Sequence, residues 1–263
     1  MSLDISKILT DWPYAPGQVT ARRIRGDDGV DKIQLRLDLG LYQMETSGRP
    51  DGLRPHDCDS LLDYYQQQLD RHAQDTGSDA GFEIASDACE QLRGEGVMYY
   101  HRYLAEFILE DFTAVERDTT RNLRLMDMCA KYAGEETDRF ALEQFRPYVI
   151  MMNTRAKALL AFRQNRPKAA LVAVKSGIDH IRQFHEKYGQ TKMVSASGEL
   201  AILRAMAKEI QSRLPIDPVR QLRRDLNKAV QEERYEDAAA IRDQLRQHAQ
   251  EHQESHTLEG DES

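Results

Sequence analysis

From residue 60 to residue 213 the apolar side chains recur every three to four positions, and the polar breaks between successive runs are short. A period near 3.6 places such residues on one face of an α-helix, and short connections make consecutive helices antiparallel neighbours. Most of the chain is thereby committed to an array of packed helices. Asp59-Ser60 is a helix start, with Leu61, Leu62, Tyr65 and Leu69 following at helical spacing and Gly77 as the stop. A second run covers 82–109, with a break expected at Gly94-Glu95-Gly96 because two glycines weaken a helix. Further helices are expected at 112–132, 139–165, 167–188 and 198–213.

Ahead of this block the period changes to two. Ile33, Leu35, Leu37, Leu39 and Leu41 alternate with Gln34, Arg36, Asp38, Gly40 and Tyr42, which gives a strand one buried face. That strand is expected to run on to Thr46 and to stop at Arg49-Pro50-Asp51-Gly52. A partner strand at 19–25 joins it through Gly26-Asp27-Asp28-Gly29. Two strands alone are marginally stable, so this ribbon must lie on helices or pair with a second copy. Trp12, the single tryptophan, sits in Trp12-Pro13-Tyr14-Ala15-Pro16, too proline-rich for a helix and expected to be extended, with the indole anchoring the terminus. The fold class is mainly α with a small N-terminal β-ribbon. Its expected divisions are an extended segment and ribbon at 1–58, a helical body at 59–214, a helical hairpin at 215–250 and a disordered polar tail at 251–263.

The formal net charge is -8, so a nucleic-acid partner would need a local basic patch acting against the average field, and none stands out. Cys58, Cys89 and Cys129 are odd in number and widely spaced, which indicates neither a disulfide framework nor a zinc set. The start Met-Ser-Leu-Asp lacks a basic-then-apolar leader and no apolar run reaches membrane length, so the expected compartment is the cytoplasm.

Groups able to do chemistry are scattered. Arg54-Pro55-His56-Asp57-Cys58-Asp59 brings imidazole, thiol and carboxylates together, yet His56 and Cys58 have no second ligand pair, so a capped loop is expected there. His101, His180 and His185 fall in separate helices, and HExxH and GxSxG are absent. Asp27, Asp28 and Asp31 lack EF-hand spacing and suit a turn. Cys129 ends the apolar run Leu125-Met126-Asp127-Met128-Cys129, and it joins Met126, Met128, Met151, Met152 and Met206 as expected core. The expectation is of no enzyme: no catalytic residue, no cofactor and no metal.

A weak repeat crosses the helical body: Leu104-Ala105 before Ala114-Val115 returns as Leu160-Ala161 before Ala170-Leu171, about 56 residues later. The second copy, with Ala158, Ala161, Ala170, Val174 and Gly177 at small-residue positions, resembles a tetratricopeptide hairpin. That resemblance implies a TPR-like antiparallel array with a concave face for peptides. Asp118 and Arg121 occupy apolar positions of the first copy and depart from the pattern.

Residues 219–249 read VRQLRRDLNKAVQEERYEDAAAIRDQLRQHA. Val219, Leu222, Leu226, Ala229 and Val230 form one apolar stripe; after Glu232-Glu233-Arg234 a second runs Tyr235, Ala238, Ile241, Leu245 and Ala249. Asp217-Pro218 supplies a cap and a favourable first helical residue, and the product is a coiled-coil-like antiparallel hairpin. Its basic and acidic residues nearly cancel, which disfavours direct DNA contact.

The hairpin resembles the UVR motif, found in the excision-nuclease subunits UvrB and UvrC and in the protease ATPase ClpC and its partner McsA. The matching positions are Leu222, Leu226, Ala229-Val230, Glu233, Tyr235-Glu236, Ala238-Ala239, Ile241-Arg242-Asp243 and Leu245. A stretch of the ribbon, RLDLGLYQMETSGRPDG, also resembles one preceding this motif in bacterial proteins. The GxxxxGK[ST] loop and the paired CxxC of those relatives are missing, so the resemblance implies protein docking, often with self-association, rather than ATP hydrolysis, incision or zinc binding. Leu222, Leu226, Val230, Tyr235, Ala238, Ile241 and Leu245 are the expected partner-binding residues, with Glu236 and Arg242 setting register through ion pairs. The expected function is that of a bacterial adaptor with a protein partner or a homodimer. The alternatives are an accessory factor in nucleotide-excision DNA repair, an enzyme using the loop 54–59, and an ordinary bundle hairpin covered by its own chain.

Overall fold

A computed structural model describes residues 5–12, 14–38, 40–214 and 218–258, which fall into two compact units, 1–212 and 213–263. The first opens with α1 (Ser6–Thr10) and an antiparallel sheet of β1 (Thr20–Arg25), β2 (Asp31–Arg36) and β3 (Leu41–Glu45). Then come α2 (Leu61–Thr76), α3 (Ser86–Ile108), α4 (Phe112–Tyr132), α5 (Glu136–Glu143), α6 (Arg146–Arg163), α7 (Pro167–Lys187), α8 (Met193–Ala196) and α9 (Gly198–Arg213). The second unit holds the antiparallel pair α10 (Pro218–Gln231) and α11 (Tyr235–Leu258). The fold is mainly α, with a small N-terminal sheet and a C-terminal helix pair. Residues 1–58 and 59–214, expected as separate segments, share one unit because the sheet packs on α3. α11 continues to Leu258, so the expected tail is helical over 251–258; Pro13, Leu39, Asp217 and 259–263 lie outside the described residues, as do the side chains of Val219 and Ala249.

Three element boundaries differ from the sequence expectation. The single strand expected from Ile33 to Thr46 is two strands, because the chain folds back after Arg36 and the Leu37 N–H donates to the Gly40 carbonyl at 3.0 Å. Alternation persists through that turn and so conceals it. No break occurs at Gly94–Gly96: α3 runs straight through, and Gly96 gives room to α4, since a Cβ there would lie 3.0 Å from Leu125 Cδ2. The helix expected at 139–165 is divided into α5 and α6, with Pro147, which has no N–H to donate, in the first turn of α6.

β2 is buried on both faces. Ile33 and Leu35 meet Ala105 of α3 and Met44 of β3, while Lys32, Gln34 and Arg36 are covered from the other side. Trp12 lies under the Arg22 guanidinium at 4.3 Å, and the Tyr14 hydroxyl donates to Asp38 at 2.7 Å. The indole is buried, anchored on the polar face of the sheet rather than in the apolar core.

α4 is the central helix, touching α3 on one side and α6 on the other. Val115 joins Met151, Ala156, Val174, Ile181 and Leu203 in one core; Leu125 and Cys129 join Leu62, Cys89 and Leu92 in another. α7 approaches α6 closely at Gly177, where a Cβ would stand 2.2 Å from Thr154 Oγ1. The α3–α4 and α6–α7 turns are alike. Glu110 and Asn165 take left-handed φ values of 58° and 55°, and the next N–H in each case bonds back to Glu106 O or Ala161 O at 2.9 Å. Both are Schellman turns. They give the sequence repeat a structural counterpart.

Asp118 and Arg121, which interrupt the small-residue pattern, belong to a buried ionic network between α3 and α4. Arg102 donates to both Asp118 oxygens at 2.6 and 3.0 Å, with both side chains 1% exposed. Arg121 pairs with Glu95 and lies 4.1 Å above the Tyr99 ring. Glu95 also accepts the Leu61 and Leu62 N–H groups at 2.8 and 3.3 Å, satisfying the start of α2 alongside the Ser60 cap. Buried charges beside an apolar core are tolerated when they are paired as Arg102 and Asp118 are.

Candidate docking hairpin

Helix α10 ends in another Schellman turn. Glu233 is left-handed at φ 58°, its N–H donates to Val230 O at 3.2 Å, and the Arg234 N–H reaches Ala229 O at 2.8 Å. Arg234 then braces the corner, pairing at 2.7 Å with both Glu232 and Asp237. This turn brings Ala229 and Ala238 to the inside, 1% and 8% exposed. Small side chains at the closed end let the helices approach.

Away from the turn the seam is incompletely covered. Leu222, Leu226, Ile241 and Leu245 are each half-buried, and Val230 and Tyr235 are 50% and 68% exposed. Two helices cannot enclose an apolar stripe on their own, and finishing the burial of each such Leu or Ile is worth roughly 1 kcal/mol. Glu236 is exposed, and Arg242 pairs with its neighbour Asp243 at 3.2 Å rather than with Glu236. The hairpin therefore brings Leu222, Leu226, Ala238, Ile241 and Leu245 to one seam and leaves Val230, Tyr235, Glu236 and Arg242 outward.

The loop 54–59 is tied up locally. His56, left-handed at φ 52°, stacks on Tyr64 at 4.1 Å. Arg54 pairs with Asp59 at 3.1 Å, and the buried Cys58 thiol donates to His56 O at 3.5 Å. Among the described residues no group of three or more His, Cys, Asp and Glu is placed to hold a metal ion. Burial pushes the Cys129 thiol up to about 12, and it lies in the core with Cys89.

Two polar or aromatic features escaped the sequence reading. One is the ionic network, in which burial first, and then the Asp118 charge, pushes the Glu106 carboxyl up to about 8 against the pull of Arg117 and Arg102. The other is an aromatic cleft beside α3. Neither has a short sequence signature, since their members are spread over several helices.

Residues 217–247 match the UvrB/uvrC motif family, a segment that coincides with α10, the turn and the first half of α11. No curated protein and no solved structure matches the chain. No helix among the described residues is long and apolar enough to cross a membrane.

Proposed function

We propose that this chain is a non-enzymatic adaptor of the cytoplasm that captures a protein partner, or a second copy of itself, through the α10–α11 hairpin. The observation carrying the proposal is the half-covered row of Leu222, Leu226, Ile241 and Leu245 within a UVR-type segment. A partner helix completes the apolar seam by lying in the groove, and the hairpin of a second copy completes it as a four-helix packing. Val230 and Tyr235 extend the contact at the turn, and Glu236 and Arg242 set register. In this reading the first unit is a scaffold whose helical pairs work as a TPR-like array.

The test is capture from a native lysate with Leu226→Asp combined with Ile241→Asp. Partner capture should be lost while the first unit keeps its melting transition; unchanged capture would sink the proposal. Light scattering at micromolar concentration reports whether the partner is a second copy. A second reading, an accessory factor in DNA repair, is favoured only by the motif's occurrence in UvrB and UvrC. It requires DNA affinity that falls steeply with salt, or capture of a repair subunit.

A further inference from the structure

A cleft of about 670 Å³ opens between α3 and the α5–α6 corner, with Glu199 from the first turn of α9 also lining it. Its wall is aromatic. Tyr100 and Tyr103 meet with centroids 5.5 Å apart at 89°, and Tyr148 stands 6.1 Å from Tyr100 at 58°. All three rings line the cleft, Tyr100 and Tyr148 from partly exposed positions and Tyr103, only 1% exposed, from its base. The break between α5 and α6 leaves Phe145 55% exposed, and Val97, also lining the cleft, is 50% exposed. Open apolar surface of this kind, walled by aromatic rings, is what a ligand site looks like before its ligand binds.

The charges decide which ligand fits. Arg93 lines the cleft but is neutralised by Asp138 at 2.6 Å. His101 is held neutral by burial, which lowers its pKa below the ordinary histidine value. Glu199 has no cationic partner among the described residues, its one hydrogen bond there being from the Ser197 hydroxyl at 2.8 Å. The Arg155 guanidinium, which interacts with Tyr148, is not among the lining residues and lies 4.3 Å above the Phe107 ring, so the unpaired charge that lines the cleft is the Glu199 carboxylate, which attracts a cation and repels an anion. A bare ammonium gives up much hydration on entering an apolar cleft, whereas an N-methylated one is already clothed in apolar surface.

We infer that the cleft formed by Tyr100, Tyr103, Tyr148 and Phe145 with Glu199 binds an N-methylated organic ammonium ion. This is independent of the hairpin and involves no covalent step. Two sources supply that chemistry, a free quaternary ammonium compound and a methylated lysine side chain on a peptide.

Titration calorimetry on the full chain tests it, with choline, its neutral isostere 3,3-dimethyl-1-butanol, and N-acetyl-trimethyllysine amide as probes. At least one cation should bind about tenfold or more tightly than the neutral isostere. Glu199→Gln and Tyr148→Leu should each weaken that binding by about tenfold. Glu199→Gln alters a half-exposed side chain, so it remains informative if Tyr148→Leu folds poorly. Preference for choline or for the lysine derivative identifies the source. Equal binding of choline and its isostere, no saturation by either cation, or full affinity in Glu199→Gln overturns the inference.

Discussion

Glu106 is a residue whose substitution should stabilise the protein, by an amount that grows as pH rises above about 5. Its side chain is 1% exposed. Oε1 accepts from Arg117 at 2.9 Å, while the buried Oε2 has no hydrogen-bond partner in the structure. Burial raises the carboxyl from 4.5 to about 8. A folded-state pKa above the unfolded value means that the folded form holds the proton more tightly. This contribution is complete below about 4.5 and is lost as pH rises towards 8. The full shift corresponds to a ceiling of about 5 kcal/mol in alkali and about 3 kcal/mol at pH 7. Glu106→Gln keeps the shape and removes the titration, at a cost of about 1 kcal/mol for a weaker bond to Arg117. Relative to the parent, the variant should be level or slightly less stable at about pH 5, about 2 kcal/mol more stable at about pH 7 and at most about 4 kcal/mol more stable at about pH 8.5. Urea unfolding followed by Trp12 fluorescence reports on this unit, because the indole lies buried on the sheet that packs against α3. A variant-minus-parent difference that stays flat or falls between those pH values refutes the reasoning.

Two other substitutions probe the packing and the turns. Gly177→Ala should destabilise the first unit by about 2 kcal/mol in thermal melts, because its Cβ would collide with Thr154, and adding Thr154→Gly should return part of the loss. Glu233→Gly should relieve a left-handed backbone and stabilise the hairpin by about 1 kcal/mol. Amide exchange at Arg234 and Ala238, whose N–H groups bond back to Ala229 and Arg234, should slow about fivefold; unchanged exchange would show that Glu233 is not strained.

What was legible in the sequence is what acts over one helical turn. Ser60 and Gly77 mark the ends of α2, Pro167 opens α7, and the polar corner 232–234 closes α10 on α11, because caps and breakers work through adjacent backbone. The glycines of α3 suggest a break because their sequence signal is the same whether they weaken a helix or admit a neighbour. Leu125, which approaches Gly96, lies 29 positions along the chain. The apolar residues of the C-terminal hairpin are visible as a stripe, but which of them turn inward depends on the register of α10 against α11. Tyr235 and Val230 carry the same apolar signal as Leu226 and end up outside. Arg102 with Asp118, and Glu95 with the start of α2, could not be paired from spacing, since charged residues on helices are ordinarily solvated.

The ionic network also governs the order in which structure can form. Arg102 donates to Glu45 O, 57 residues away, and Arg117 to Thr46 O, 71 residues away, so the end of β3 is held by side chains of α3 and α4. The α3–α4 hairpin is local and can assemble early. Docking of the sheet on those helices closes much longer loops than the pairing within the sheet, so it carries the larger entropic cost. The strands can pair with one another locally, but the contacts that fasten the end of β3 to the helices require the chain as far as Arg117.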